Sequence, residues 1–571
     1  MRKKRKPSLW LTVGAAVLLI GGGTVAYWLW VQRKASLGNV PLGAQLVPQD
    51  ALVAASITTD PKQWEQLREY GTSDTQAVLD QQLATLRDNF LTVNGYDYQK
   101  DIQPWVGKEI MLAYLSSEVP VSPPNAKTPT SVAPVTQLAM VMLLPIENPV
   151  QAQQLLDKPD SQKTRFIERT YKGVQIRERQ GGTSQISTTV IDRFLVVSTD
   201  PKATDRIIDT YKGDASLAAT PGYLQALGQI QVSQPFAQMY VNVPTAAAVA
   251  ASNSARSLSP QNLAQVQQKQ GIAATVTLEG DGIRFKGVSW LKPNSQKQLV
   301  VENKAKSMPN RLPGETLLMV SGGNLQQLWQ DYREGAESNP VTPIKPEDLR
   351  ARIKFFSGLD LDQDLLPWMK GEFSLALIPA PKGTPSELGA GIVLMIQASD
   401  RPRAEKSLNQ LDEYVAKQYQ FQAQKAQIEG QPVVNLTSPL GGLTATHGWL
   451  DNNVAFLTVG APITNLMLPQ PKSALIDNEL FKKAVSTELS PNNGHFFMDV
   501  DHTINAGNLT LSPLTPQSPQ QNTFFKLLTG VRGVGVTAAV HDERSSRFDL
   551  FVVMKKVGQP NPTPTPPTKS P

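Results

Sequence analysis

The second half of this chain repeats the first, residue type by residue type. Gly95-Tyr-Asp97-Tyr-Gln-Lys-Asp101-Ile-Gln-Pro104-Trp105 aligns without a gap to Gly358-Leu-Asp360-Leu-Asp362-Gln-Asp364-Leu-Leu-Pro367-Trp368, at a constant offset of 263 residues. Glu109 and Glu372 continue the match. Leu46-Val47-Pro48 recurs as Arg311-Leu312-Pro313, and Trp64 recurs as Trp329, both at an offset of 265. Further along, Asp192 meets Asp451, Met239–Val243 meets Phe496–Val500, and Arg284-Phe285 meets Arg547-Phe548. Collinear blocks with small insertions between them are the mark of a tandem duplication. Two copies of about 260 residues imply two similar domains that fold semi-independently, not a solenoid. The markers that persist are Pro48, Trp64, Asp101, Pro104, Trp105 and Glu109, with Pro313, Trp329, Asp364, Pro367, Trp368 and Glu372. These are types that determine folds, so Asp101 and Asp364 read as structural caps and the tryptophans as core anchors.

Within each copy, helical and strand periods alternate. Asp74–Leu91 sets Val78, Leu79, Leu83, Leu86 and Phe90 on one helical face, and Leu349, Ile353 and Phe356 repeat that spacing. Arg403–Gln418 carries Ala404, Leu408, Leu411 and Val415 in the same way, and Pro149 and Pro402 suit first helical turns. Apolar or alternating runs lie between: 138–144, 194–198, 273–278, 391–396, 454–458, 534–540 and 548–553. Glu279-Gly-Asp-Gly282 marks a tight hairpin. The expected class is α+β, each copy an antiparallel sheet with helices packed on one face. Pro-rich insertions at Ser116–Pro134 and Pro379–Glu387 read as exposed loops at equivalent places.

The basic balance of the chain is confined to its ends. Lys and Arg number 55 against 49 Asp and Glu, with a pI near 9.1. Seven cations precede the first acid, Asp50, and three more lie after residue 554, so the body between is slightly acidic. Nothing there offers a footprint for phosphate backbones, which excludes nucleic acid as a partner. From Pro7 to Gln32 there are 26 residues without a charge, long enough to cross a bilayer as a helix. Trp10, Tyr27, Trp28 and Trp30 fit interfacial belts, and five cations before the span against two after it keep the N-terminus cytoplasmic. A cleaved signal peptide, cut after Ala26, meets the small-residue rule only in part, because residue 24 is Thr.

The organisation expected is therefore a basic tail at 1–6, a transmembrane signal-anchor helix at 7–32 and a linker at 33–45. Repeat domains at 46–291 and 312–554 follow, joined by a linker at 292–311, and a disordered Pro-rich tail closes the chain at 555–571. The bilayer is the one partner this reading names directly, with the body periplasmic or lumenal.

Catalytic and metal motifs fail on inspection. The chain has no Cys, which excludes disulfides, thiolate metal sites and Cys nucleophiles. Asp360-Leu-Asp362-Gln-Asp364 lacks the Gly and the final Glu of a calcium loop, since Leu365 and Gly371 stand there. All four histidines, His447, His495, His502 and His541, fall in the second half. On a strand His495 would face away from His502, and Gln238 and Thr245 replace them in the first half. Gly533-Val-Gly535-Val-Thr-Ala538 resembles a dinucleotide loop but continues as a strand, and Ser321-Gly-Gly-Asn324 reads as a strand-to-helix turn. No catalytic residue, metal or cofactor is expected.

The duplicated Asp-x-x-Pro-Trp element, and the Gly107-Lys-Glu109 and Lys370-Gly-Glu372 that follow it, resemble an uncharacterised family of cyanobacterial membrane-anchored envelope proteins, domain of unknown function 3352. So does the single N-terminal span ahead of a body opening with Leu46-x-Pro48, and the likeness runs over roughly residues 46–554. The resemblance implies an outward-facing, membrane-associated protein and brings no catalytic residues. The function expected is a membrane-tethered, non-catalytic binding or scaffold protein, with envelope proteins or lipid as partners. The alternatives are a carrier of an apolar or lipid ligand and an envelope hydrolase.

Overall fold

A computed structural model describes residues 40–90, 97–116, 138–156, 165–180, 186–253, 268–338, 344–384, 389–439, 444–505 and 519–557. The anchor at 7–32, most of the 116–134 loop and most of the tail lie outside them. No helix among the described residues is long and apolar enough to cross a membrane.

The first half contributes β1 (Val53–Thr58), β2 (Glu109–Ser116), β3 (Leu138–Pro145), β4 (Arg165–Tyr171) and β5 (Val174–Gln180). It continues with β6 (Ser187–Ile191), β7 (Phe194–Ser198), β8 (Ala237–Asn242), β9 (Lys269–Glu279) and β10 (Gly282–Leu291). The second contributes β11 (Leu318–Gly322), β12 (Phe373–Pro379), β13 (Ala390–Gln397), β14 (Gln422–Ile428) and β15 (Gln431–Thr437). Its remaining strands are β16 (Thr444–Trp449), β17 (Val454–Gly460), β18 (Gly494–Asp499), β19 (Val531–Val540) and β20 (Ser545–Met554). Helices α1 to α6 are Pro61–Arg68, Ser73–Phe90, Pro149–Leu156, Pro201–Tyr211, Tyr223–Gln229 and Val243–Asn253. Helices α7 to α12 are Leu325–Ser338, Pro346–Ser357, Arg401–Tyr419, Glu479–Ala484, Val500–Asn505 and Pro519–Leu528. Three of them begin with a capping aspartate and a proline in the first turn. Asp60, Asp200 and Asp400 accept the backbone N–H of Lys62, Lys202 and Arg403 at 2.9–3.1 Å.

All strand pairings among the described residues are antiparallel, in the order β4-β5-β6-β7-β3-β2-β1-β8-β9-β10-β20-β19-β18-β11-β12-β13-β17-β16-β15-β14. Adding ten to each strand of the first half reproduces the order of the second. The expectation of one separate sheet per copy needs correction: β10 and β20 pair from Gly282↔Val553 to Trp290↔Ser545 and join both halves into one 20-stranded sheet. Lys286 pairs with Asp549, its own counterpart at the 263-residue offset, so the junction is an isologous contact made within one chain.

Core clusters lie on both faces, which corrects the expectation of helices on one face only. The first face carries Ala54, Ala113, Tyr240, Ala273 and Val288 beneath Ile207, Ile208, Tyr223 and Leu227 of α4 and α5. It continues with Met319, Ala376, Val393, Phe456, Phe497 and Phe551 beneath Leu475, Phe481 and Ala484. A Cβ on Gly535 would lie 2.2 Å from the Ala484 carbonyl oxygen, so this glycine lets α10 close onto β19. The second face is covered at its outer ends: by Ile102, Trp105 and Ala152 over Met142, Leu144 and Leu195, and by Trp368, Met369 and Ala404 over Phe373, Ile396 and Ala455.

Candidate binding surface

Between those two covers, the second face is apolar and part-open, with Val536, Val276 and Ala237 buried among accessible neighbours. Residues that pair directly across strands share a face, so the register defines rows. One row reads Leu457, Leu394, Leu375, Val320, Phe496, Val536, Leu550, Phe285, Val276, Ala237, Ile57 and Ile110. It crosses twelve strands and both halves without one polar side chain. Leu375 is 42% exposed, Ile392 in the neighbouring row 41%, and Val320, Phe496, Leu550, Phe285 and Ile57 are partly exposed. A sheet with one face against its core ordinarily turns polar side chains to the other. Here Ala274, Val536, Ala538 and Phe548 form instead a buried apolar floor ringed by accessible aliphatic and aromatic groups.

The polar row is on the covered face, one residue over. Ser374, Ser321, His495, Thr537, Asp549, Lys286, Thr275, Gln238 and Ser56 pair in that order. The row is nearly palindromic about the Asp549–Lys286 pair, with Thr537 answering Thr275, His495 answering Gln238 and Ser321 answering Ser56. Thr537 donates its hydroxyl to the Ser486 carbonyl at 3.0 Å and lies 3.1 Å from His495 Nδ1. Because that hydroxyl has one proton, His495 holds its own on Nδ1 and keeps Nε2 as an acceptor. Burial pushes the imidazole down to about 4, against a smaller upward pull from Glu372. Asp549, 2% exposed at its side chain, pairs with Arg284 at 2.8 Å, and Lys286 pairs with Glu488 at 2.6 Å.

The repeated markers do similar work in the two halves. Asp101 Oδ2 accepts the Asp97 N–H and Asp364 Oδ2 the Asp360 N–H, both at 2.8 Å, closing the single π turns Tyr98–Ile102 and Leu361–Leu365. Trp105 Nε1 donates to the Asp101 carbonyl at 2.5 Å and Trp368 Nε1 to the Asp364 carbonyl at 3.0 Å, and both rings are buried. Pro104 and Pro367 precede those rings. Pro48 bridges to Ser216, and Pro313 to Ala474. Glu109 accepts Leu42 N and Ser56 Oγ at 2.6 Å each. Glu372 accepts Lys306 N, Ser307 N, Ser307 Oγ and Met308 N at 2.6–3.1 Å. Each glutamate thus pins the segment that enters its half. The outer tryptophans diverge: Trp64 donates to Thr58 O and Trp329 to Asp362 Oδ1.

The carboxylates at 360–364 point to separate partners, since Asp362 pairs with Arg350 while Asp360 and Asp364 bond backbone N–H groups. Among the described residues no group of three or more His, Asp and Glu side chains could hold a metal ion. His502 bonds Asp499, and His447 Nε2 lies 2.7 Å from Asp412 on α9, far in sequence from His495. Motif searching missed the open apolar rows. The available signal was the lack of alternation in runs such as 138–144 and 391–396.

The fold defines a class: a single antiparallel α+β sheet of two like halves, helix-covered on one face and apolar and part-open on the other. The chain belongs to the DUF3352 family of proteins of unknown function, whose profile matches residues 11–554. No curated protein matches it in sequence. Solved structures of TP0453 are similar in part. Crystal form III has 8% identity over 45% of this chain and 81% of that one, with a TM-score of 0.23; crystal form IV has 8% over 46% and 82%, also at 0.23.

Proposed function

We propose that this protein is a membrane-tethered, non-catalytic binding protein whose body faces the periplasm or lumen and whose open sheet face takes an apolar ligand. The observation that carries the reading is the twelve-strand row without a polar side chain, accessible at Leu375 and across the junction. An apolar patch of that extent marks a binding surface. It favours a lipid or other apolar molecule over a purely scaffolding role. The uncharged run at 7–32 supports the tether. The matched strand order and the paired Asp–Trp and Glu elements support an origin by tandem duplication, with copies at 46–291 and 312–554.

Full-length protein purified from native membranes and extracted for mass spectrometry should carry a stoichiometric lipid. The doubly substituted Leu375→Glu, Ile392→Glu chain should lose it while keeping the wild-type unfolding midpoint, because both positions are already about four-tenths exposed. A ligand-free wild type that captures a protein partner instead would leave the scaffold reading. Turnover abolished by His495→Ala would defeat the non-catalytic one.

A further inference from the structure

Helix α8 ends in two adjacent rings that nothing in its own fold covers. Phe355 is 63% and Phe356 61% exposed. They are not a frayed end. Tyr414 and Tyr419, on α9, both donate their hydroxyls to the Phe355 carbonyl, at 3.0 and 2.6 Å. Gly358 closes the helix at a φ of 73°, and a Cβ there would lie 2.3 Å from the Tyr414 ring. Phe355 stacks edge-on with Phe356 at 5.1 Å and with Tyr419 at 6.5 Å, and Tyr414 with Tyr419 at 6.0 Å. The four rings thus form a rigid cluster held from behind. Arg352, Lys354 and Lys417 are exposed within four residues of the rings along the two helices; Lys354 pairs with Asp360 at 3.6 Å, and Glu413 is an exposed acid one residue from Tyr414.

We infer that this cluster is a membrane-docking patch, with Phe355 and Phe356 entering the interfacial layer of a bilayer and the surrounding cations meeting its anionic headgroups. Phenylalanine and tyrosine beside lysine and arginine is the composition that partitions into that layer. The area argues the same way. Two rings six-tenths exposed offer on the order of 250 Å², far below the roughly 800 Å² per partner of a stable protein interface. Against a membrane to which the chain is already tethered, so small a contact suffices, because the tether raises its effective concentration. Helix α9 lies on the second face, where its Asp412 meets His447 and its Ala404 packs on Phe373 and Ile396. Docking through the patch therefore turns the helical rim of the open apolar face toward the bilayer. The inference rests on the tethered reading above.

The chain has no cysteine, so Phe356→Cys introduces a unique thiol for a nitroxide label. Labels at Val17→Cys and at the exposed Ser473→Cys serve as references within the span and on the body. In full-length protein reconstituted into phosphatidylcholine–phosphatidylglycerol vesicles, the label at 356 should favour oxygen over a water-soluble nickel relaxant, as the label at 17 does. The label at 473 should favour nickel. Adding Phe355→Ser should shift 356 back toward the value at 473. A label at 356 as water-accessible as 473, with 17 in hydrocarbon, overturns docking and leaves the tether standing; a water-accessible label at 17 overturns the tether. Protection at 356 that grows with protein-to-lipid ratio would mean a second copy covers the rings, which also overturns the inference.

Discussion

The two halves of the sheet share the elements that hold the turn and the entering segment, and both contribute to the apolar rows, while the histidines belong to the second half alone. In both, an aspartate closes a π turn, a buried tryptophan donates to that aspartate's carbonyl, and a glutamate pins the entering segment. The differences are local. In the polar row Gln238 stands where the second half has His495, Met111 where it has Ser374, and Lys286 where it has Asp549. Helix α3 of the first half stands where the second has α9, and Pro149–Leu156 carries none of the tyrosines of α9. Shared elements therefore report what the fold needs, and divergent ones are where a function specific to one half can reside.

The junction sharpens this contrast most. Asp549 and Lys286 occupy equivalent positions, yet Asp549 is buried with Arg284 while Lys286 pairs with a Glu488 whose side chain is 61% exposed. Asp549→Ala leaves Arg284, 14% exposed, with Glu279 as its remaining carboxylate partner and should cost about 2–3 kcal/mol. Lys286→Ala should cost about 0.5 kcal/mol, as exposed pairs do. Denaturant unfolding of the full chain measures both. Equal effects would mean that the two sides of the junction are not energetically distinct.

The paired glutamates give the next largest difference. Glu372 is 6% exposed and serves three backbone N–H groups and a hydroxyl; Glu109 is less buried and serves one of each. Glu372→Ala should therefore destabilise by about 3 kcal/mol and Glu109→Ala by about 1–2 kcal/mol. The order of the two midpoints is the test, and a larger loss at Glu109 would break the comparison.

Much of this was legible in the sequence, and the rest was hidden for physical reasons. The 263-residue offset located Asp101 with Asp364 and Glu109 with Glu372, and short-range patterns placed β3, β7, β9, β13, β17, β19 and β20 and the hairpin at Gly280-Asp281, but not the outer strands β4–β6 and β14–β16. The union of both halves through β10 and β20 was not legible. An edge strand that pairs across a junction carries the same residues as one that pairs within its own copy. Helical period also set Phe356 with Leu349 and Ile353, but the helix stops at Ser357, so its last turn overruns the core against which the other two are half-buried. The apolar second face was half visible in unbroken runs that a one-sided sheet does not need.

The smallest effect is the most specific, because it isolates one difference between the halves. His495 is neutral in the fold, its imidazole pushed down from 6.5 to about 4 by burial. The unfolded chain therefore takes up its proton first, and stability falls as pH drops from about 6.5 to about 4, levelling below that. His502 works in the opposite sense, raised by its hydrogen bond to Asp499, and its stabilisation is lost as pH climbs. With its side chain 69% exposed, that contribution is small and common to both proteins compared. His495→Gln installs the residue that stands at the matching place in the first half. The variant should match the wild type to within about 1 kcal/mol at pH 7. At pH 4.5 it should be the more stable by on the order of 2 kcal/mol, after discounting for the part of the ring that water reaches. Urea unfolding at both pH values measures the difference of differences. If the acid limb keeps its slope in the variant, then His495 is already accessible to protons in the fold, and the covered face is not dry at the polar row.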